Sequence, residues 1–199
     1  MFPDLTRDDV FRIETRRLWL RWPRAKDAGA IVTLAGERAV AEMTARIPHP
    51  IDPHGIDAFL LAARRGNAEG SGLAMAISPR SDPTRLVGIV GIQRDDRALA
   101  PHLGYWLGTP HWGRGLMTEA AGAMVDAYFA YAQGAGLVAS ARTDNPASRR
   151  VLERCGFTRH GEGVRAFPAR GRDLAVDLFR LERAEWERLE RARTVERDR

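Results

Sequence analysis

Two stretches of the chain hold residue types suited to chemistry. Trp112-Gly113-Arg114-Gly115-Leu116-Met117-Thr118-Glu119-Ala120 sets two glycines ahead of a helical pattern. Glycines there remove Cβ atoms and let backbone N–H groups face a ligand. The N-terminal end of the following helix favours an anion such as a pyrophosphate. A tight turn would use the same glycines. The segment also lacks the Gly-Lys-Ser/Thr of a P-loop and the third glycine of a dinucleotide fingerprint. The second stretch runs from Asn145-Pro146-Ala147-Ser148-Arg149-Arg150 through Val151-Leu152-Glu153-Arg154-Cys155-Gly156-Phe157. Asparagine followed by proline is a helix start, and Gly156 stands where that helix should stop. Two titratable groups, Asp96 and His102, lie just upstream of the first stretch. The lone cysteine, Cys155, sits beside a glycine at a helix end, which is a packing position and not that of a ping-pong nucleophile.

These residues need elements to hold them. Thr15 to Trp22 alternates and predicts a half-buried strand, with Leu18, Leu20 and Trp22 on one face. Lys26 to Arg38 and His54 to Arg65 read as helices. Strands are expected at Leu73 to Ile77, Leu86 to Ile92 and His102 to Leu107, with a turn at Pro79 to Pro83 and a loop at 95–101. Glu119 to Tyr131 predicts an amphipathic helix burying Ala120, Met124, Ala127, Tyr128 and Tyr131. Leu137 to Arg142 is a strand, Pro146 to Arg154 a helix, Phe157 onward an interrupted strand and Ala175 to Leu181 a last strand. Glu182 to Arg199 carries balanced charge and reads as a solvated, fraying helix. Strand runs joined by helical crossovers give an α+β (mixed α/β) fold, not the regular βα alternation of a doubly wound sheet.

Taken together, the two motifs resemble the GNAT superfamily of acyl-CoA N-acyltransferases, in particular its RimJ/RimL-like branch. The strings Gly104-Tyr105-Trp106-Leu107, Trp112 to Ala120 and Asn145 to Phe157 carry the resemblance. The opening strand Thr15 to Arg21 and Leu86-Val87-Gly88 add to it. The resemblance implies one GNAT domain over about 13–185, a central mixed, mostly antiparallel sheet flanked by helices, and a charged tail at 186–199. It implies acetyl-CoA as co-substrate. Trp112, Gly113, Arg114, Gly115, Leu116, Met117 and Thr118 would hold its pyrophosphate through backbone amides, although Met117 stands where Gly or Ala is usual. The strand carrying Trp106 and Leu107 would splay from its neighbour near Gly108, and pantetheine would pair with it like an added strand. A backbone N–H near Leu107 would stabilise the oxyanion. Asn145 and Ser148 would bond the pantetheine or the departing thiol, and Arg150, with Arg149, would meet CoA phosphates or stay solvated.

The implied reaction is direct attack of a primary amine on the thioester in a ternary complex. The amine must be neutral. Deprotonating a lysine at pH 7 costs about 3–4 kcal/mol more than deprotonating an α-amine, so a weak base suffices only for the latter. His102 and Asp96 are the candidate bases, with a water relay as the alternative. Many superfamily members use a Tyr as acid where this chain has Leu152, so Ser148 takes that role or no acid is needed. Trp19, Trp22, Tyr105 and Trp106 either line an acceptor pocket or pack in the core. A non-catalytic acyl-CoA sensor and a ribosome- or RNA-associated protein are the alternatives.

The composition bounds the rest. The 199 residues suit one domain, and 44% hydrophobic with 29% charged is ordinary globular composition. One cysteine excludes a disulfide framework, and the five histidines form no metal-ligand pair, so no metal is expected. The charge of +5 hints at nucleic acid, but all basic residues except Lys26 are arginine and the excess forms no tail or block. That pattern fits arginine-rich coding better than nucleic-acid binding. A basic protein should repel polyamines, which favours a peptide N-terminus or a less cationic amine as acceptor. Met1 to Val10 is not a signal peptide, and no apolar run spans a bilayer, so a cytoplasmic protein without a membrane partner is expected. A homodimer is compatible with the family but unsupported by any motif.

Overall fold

A computed structural model describes residues 11–94 and 100–197, with side chains described through Ala192. Asp96 and most of the expected 95–101 loop lie outside the described residues, as does the Met1 to Val10 segment. The described strands form one eight-stranded sheet in the order β1-β2-β3-β4-β5-β6-β8-β7. They are β1 Arg12–Glu14, β2 Leu18–Arg21, β3 Gly72–Pro79, β4 Gly88–Gln93, β5 His102–Leu107, β6 Gly136–Arg142, β7 Thr158–Phe167 and β8 Arg172–Glu182. The helices are α1 Ala28–Ala35, α2 Arg38–Ala41, α3 Pro53–Glu69, α4 Leu116–Tyr131, α5 Pro146–Arg154 and α6 Arg183–Arg197.

Every strand pair is antiparallel except β5 and β6. Those two run parallel because a helix, α4, joins them, and a parallel pair needs such a crossover. They touch at one register pair, His102 with Val138, and Val138 N–H donates to Pro101 O at 3.0 Å. Beyond that point the strands part. The splay therefore opens at the start of β5, not near Gly108 as the resemblance implied.

The helices cover both faces of the sheet. On one face α4 buries Ala120, Met124, Val125, Tyr128 and Phe129 against Leu18, Leu20, Met75 and Val90. On the other, Ile31, Ala35, Ile56 and Leu60 of α1 and α3 pack on Ala76 and Ile89. Tyr131, expected in the α4 face, is exposed at the last residue of the helix. The expected strand at 15–22 is a hairpin, because Thr15 N–H and Oγ1 close on Leu18 O and turn the chain between β1 and β2. The expected helix 26–38 breaks after Ala35, where Glu37 is extended and opens α2.

Buried polar groups fasten the elements. Arg21 forks onto both carboxylate oxygens of Asp27 at 2.7 and 2.8 Å, and also donates to Pro83 O. Asn67 bonds both N–H and C=O of Ala74, at 2.7 and 2.9 Å. It thus replaces the neighbour that β3 lacks beyond the end of β2, which pairs only as far as Ala76. α6 is not wholly solvated: Trp186 stacks on Phe129 at 5.2 Å and donates to Asp126 at 2.8 Å.

Candidate active site

The gap between β5 and β6 is the centre of a cleft of about 2060 Å³ that connects the two faces of the sheet. On the α4–α5 face its wall is the loop ahead of α4. Gly113 and Gly115 have φ of +73° and +71°, a conformation that L side chains rarely adopt, and a Cβ on Gly113 would meet nothing. Gly115 opens α4 with no side-chain cap, so the first-turn N–H groups of Leu116, Met117 and Thr118 have no intrahelical acceptor. The Met117 side chain lies in the core at 7% exposure, so the loop presents backbone there. The loop is braced from outside. Glu119 accepts hydrogen bonds from Thr15 Oγ1 (2.6 Å), Arg17 N–H (2.8 Å) and the Arg17 guanidinium (2.6 Å), while Arg17 also donates to Arg114 O. Burial pushes the Glu119 carboxyl up, but these donors outweigh it and hold it below the usual carboxylate range. His111, at the mouth of the cleft, is held below its ordinary value by burial and then by Arg85 and Arg114, so it is neutral at pH 7.

The β5 wall offers backbone donors. Gly108 N–H bonds Val87 O of the β4 side at 3.0 Å, so by strand alternation the N–H groups of Leu107 and Tyr105 face the open gap. Trp112, half exposed at the rim, spends its indole N–H on Leu107 O at 2.6 Å. It therefore anchors the loop to the end of β5. Arg114 and Gly108 do not line the cleft; Gly108 is buried, and a Cβ there would collide with Leu34.

The opposite wall is the start of α5. Asn145 Oδ1 accepts from Ser148 N–H at 3.0 Å, the N-cap that the sequence spelled out. Ser148 Oγ lies 3.0 Å from the Tyr105 hydroxyl, which also donates to Ser148 O at 3.2 Å. Burial pushes the Tyr105 phenol well above its ordinary value, and the Ser148 bond offsets only part of this. The phenol therefore stays protonated, a donor and not a base. Arg150 lines the cleft and is exposed, whereas Arg149 is held by Asp177 at 2.7 Å.

His102 stands where the strands part, its Nε2 3.3 Å from Ser140 Oγ on β6. Asp96 lies outside the described residues. Of the four aromatics weighed for an acceptor pocket, Tyr105 and Trp106 line the cleft; Trp19 and Trp22 do not. Trp19 lies under Arg12 and Trp22 under Arg64. Cys155 is buried with Sγ 3.6 Å from Thr118 O, so it packs α5 against α4. Among the described residues, no group of three His, Cys, Asp or Glu side chains could hold a metal ion, and no helix is long and apolar enough to cross a membrane.

Two features of the site were not legible as motifs. One is the Tyr105–Ser148 contact, which joins residues 43 apart in sequence. The other is the side of the cleft walled by the 42–52 loop and the end of β7.

The family model for the GNAT acetyltransferase domain matches residues 17–158. No curated protein matches the sequence significantly. Solved structures share the fold. The ribosomal-protein-S5-alanine acetyltransferase of Vibrio fischeri is 20% identical with a TM-score of 0.73, over 88% of this chain and 98% of that one. RimJ of Mycobacterium smegmatis, in complex with CoA-disulfide, is 21% identical with a TM-score of 0.69, over 88% of each chain. The microcin C7 self-immunity acetyltransferase MccE, in complex with acetyl-CoA and AMP, is 21% identical with a TM-score of 0.70, over 84% of this chain and 93% of that one.

Proposed function

Because the chain belongs to the GNAT acetyltransferase family, we propose that it moves an acetyl group from acetyl-CoA to a primary amine by direct attack, with a peptide α-amine as the favoured acceptor. The observation that carries this reading is the splay. It joins a glycine loop with free backbone N–H groups on one face of the sheet to a second opening on the other. The two substrates enter from opposite faces and meet at the gap.

The residues present suit acetyl-CoA. The first-turn N–H groups of α4 receive its pyrophosphate, and Arg150 faces the same end of the cleft. The outward N–H groups of β5 pair with the pantetheine arm. As the amine nitrogen bonds to the carbonyl carbon, negative charge on the carbonyl oxygen is met by the Leu107 N–H. His102 takes the ammonium proton. The C–S bond breaks, the sulfur leaves as a thiolate that accepts a hydrogen bond from the Ser148 hydroxyl, and the proton held by His102 passes on to solvent. Tyr105, kept protonated by burial, donates to Ser148 O, and its 3.0 Å contact with Ser148 Oγ fixes where the serine hydroxyl sits. Cys155 is buried and forms no acyl intermediate.

The test is acetyl-CoA binding by calorimetry, followed by thiol release on a panel of peptides and small amines. Binding with turnover on an α-amine supports the reading; binding without turnover on any amine overturns it. His102→Ala should lower kcat by about 100-fold and remove the acidic limb of its pH profile, the usual scale for losing a general base. An unaltered profile would take the base role from His102.

A further inference from the structure

We propose that the acceptor amine carries anionic groups beside it, as an acidic peptide N-terminus does, and that Arg46 and Arg165 receive them. This rests on the N-acetyltransferase reading and specifies its acceptor.

The acceptor side of the cleft is bounded by the 42–52 loop and the end of β7. These two segments are bonded into one bridge. Ala169 N–H donates to Ala45 O at 3.1 Å, and the Arg170 guanidinium donates to Ala41 O at 2.7 Å and to Ile47 O. Arg142 of β6 adds a bond to Glu42 O at 2.6 Å. The bridge thus ties the β6–β8 half of the sheet to the helical cover of the other half, and fixes the backbone that carries Arg46 and Arg165.

Five charged groups on these walls line the cleft: Glu42, Arg46, Asp52, Arg142 and Arg165. Three are committed. The Glu42 carboxylate is held by Arg38 at 2.6 Å and Asp52 caps the His54 N–H at 3.0 Å. Arg142 is forked onto Asp144 and bonds the Glu42 carbonyl. Among the described residues, the Arg46 and Arg165 guanidinium groups make no hydrogen bond or ion pair, and both residues are exposed. The charge left for an incoming substrate is therefore two guanidinium forks, which match carboxylates in geometry.

Positive charge at this wall has two effects on an amine. It favours the neutral over the ammonium form, which is the form that attacks. It also repels a substrate that is only cationic, such as a polyamine. Carboxylates next to the amine convert that repulsion into attraction and leave the nitrogen neutral at the gap.

The experiment compares thiol release on two peptides of equal length, one with Asp at positions two and three and one with Asn there. Free glutamate and glutamine form a second arm, which separates a peptide source of the carboxylates from a small-molecule one. The expected result is at least a tenfold preference for the acidic member of a pair in kcat/KM, expressed mainly in KM and shrinking as salt is raised. In Arg46→Gln/Arg165→Gln the preference should collapse, while in Arg46→Lys/Arg165→Lys much of it should persist. Calorimetric affinity for acetyl-CoA reports that each variant is folded. Equal rates on acidic and neutral acceptors, or a preference that survives the double Gln variant, would overturn this inference alone. Absence of turnover on every amine, in a protein that binds acetyl-CoA, would overturn the transferase reading as well.

Discussion

Tyr105 and Ser148 make the sharpest residue-level case for how the site works. A partly buried phenol in contact with a serine hydroxyl can either accept from it or donate to it. Burial keeps the phenol protonated, so it cannot act as a base; its hydrogen goes to Ser148 O, and the contact with Oγ fixes where the serine hydroxyl sits. On this account Tyr105 is a positioning residue that acts through Ser148. Tyr105→Phe should lower kcat about tenfold with little change in KM for acetyl-CoA. The same change made in Ser148→Ala should add almost nothing, because residues that act as a unit are not additive. Additive losses in this double-mutant cycle would refute the coupling; a merely structural role for the ring would give that result. The sequence named Ser148 and placed Tyr105 on a strand, but not the contact between them, since nothing in their spacing says that β5 and α5 face each other.

Single elements reach the site through fastenings that lie outside it. The β1–β2 hairpin holds the glycine loop through Glu119 and Arg17, and the β2 end holds α1 through the buried Arg21–Asp27 fork. Both side chains of that fork are nearly inaccessible, at 5% and 1% exposure. Removing one member leaves the other as an unpaired buried charge, which costs about 3–5 kcal/mol. Asp27→Ala should therefore lower Tm by roughly 6–20 °C for a chain of this size. The double replacement Arg21→Met/Asp27→Leu should cost less than the single one, because it buries no unpaired charge. Calorimetric melting of the two variants decides it. Most element boundaries were readable in advance: Asn145-Pro146 and Gly156 bracket α5 because capping and positive φ (+91° at Gly156) are local demands. The hairpin at 15–17 was missed because alternation looks the same in one strand as in two joined by a tight turn.

At the scale of the whole molecule, the sheet is two half-sheets, β1–β5 and β6–β8, joined at one backbone register pair and by packing around it. On one face α4 packs on the first half and α5 on the second, the two helices touch, and α6 closes behind α4. Trp186 covers Phe129, and Leu189 reaches the Gly156 turn. Removing residues 186–199, the expected charged tail, should expose the Phe129 ring. It should lower Tm by at least about 6 °C, on the scale of losing a buried aromatic. Trp186→Ala in the full-length chain should reproduce most of that loss. A truncated chain that melts with the intact one would make 186–199 a true appendage. The sequence by itself determined the α+β class, most of the elements and the two motifs that resemble those of acyl-CoA N-acyltransferases, because periodicity, caps and glycine turns depend on neighbours in the chain. It did not determine where the sheet splits, which aromatics face the gap, or which charges remain unpaired on the wall formed by the 42–52 loop and the end of β7. Those depend on contacts between segments far apart in sequence, and only the folded packing decides them.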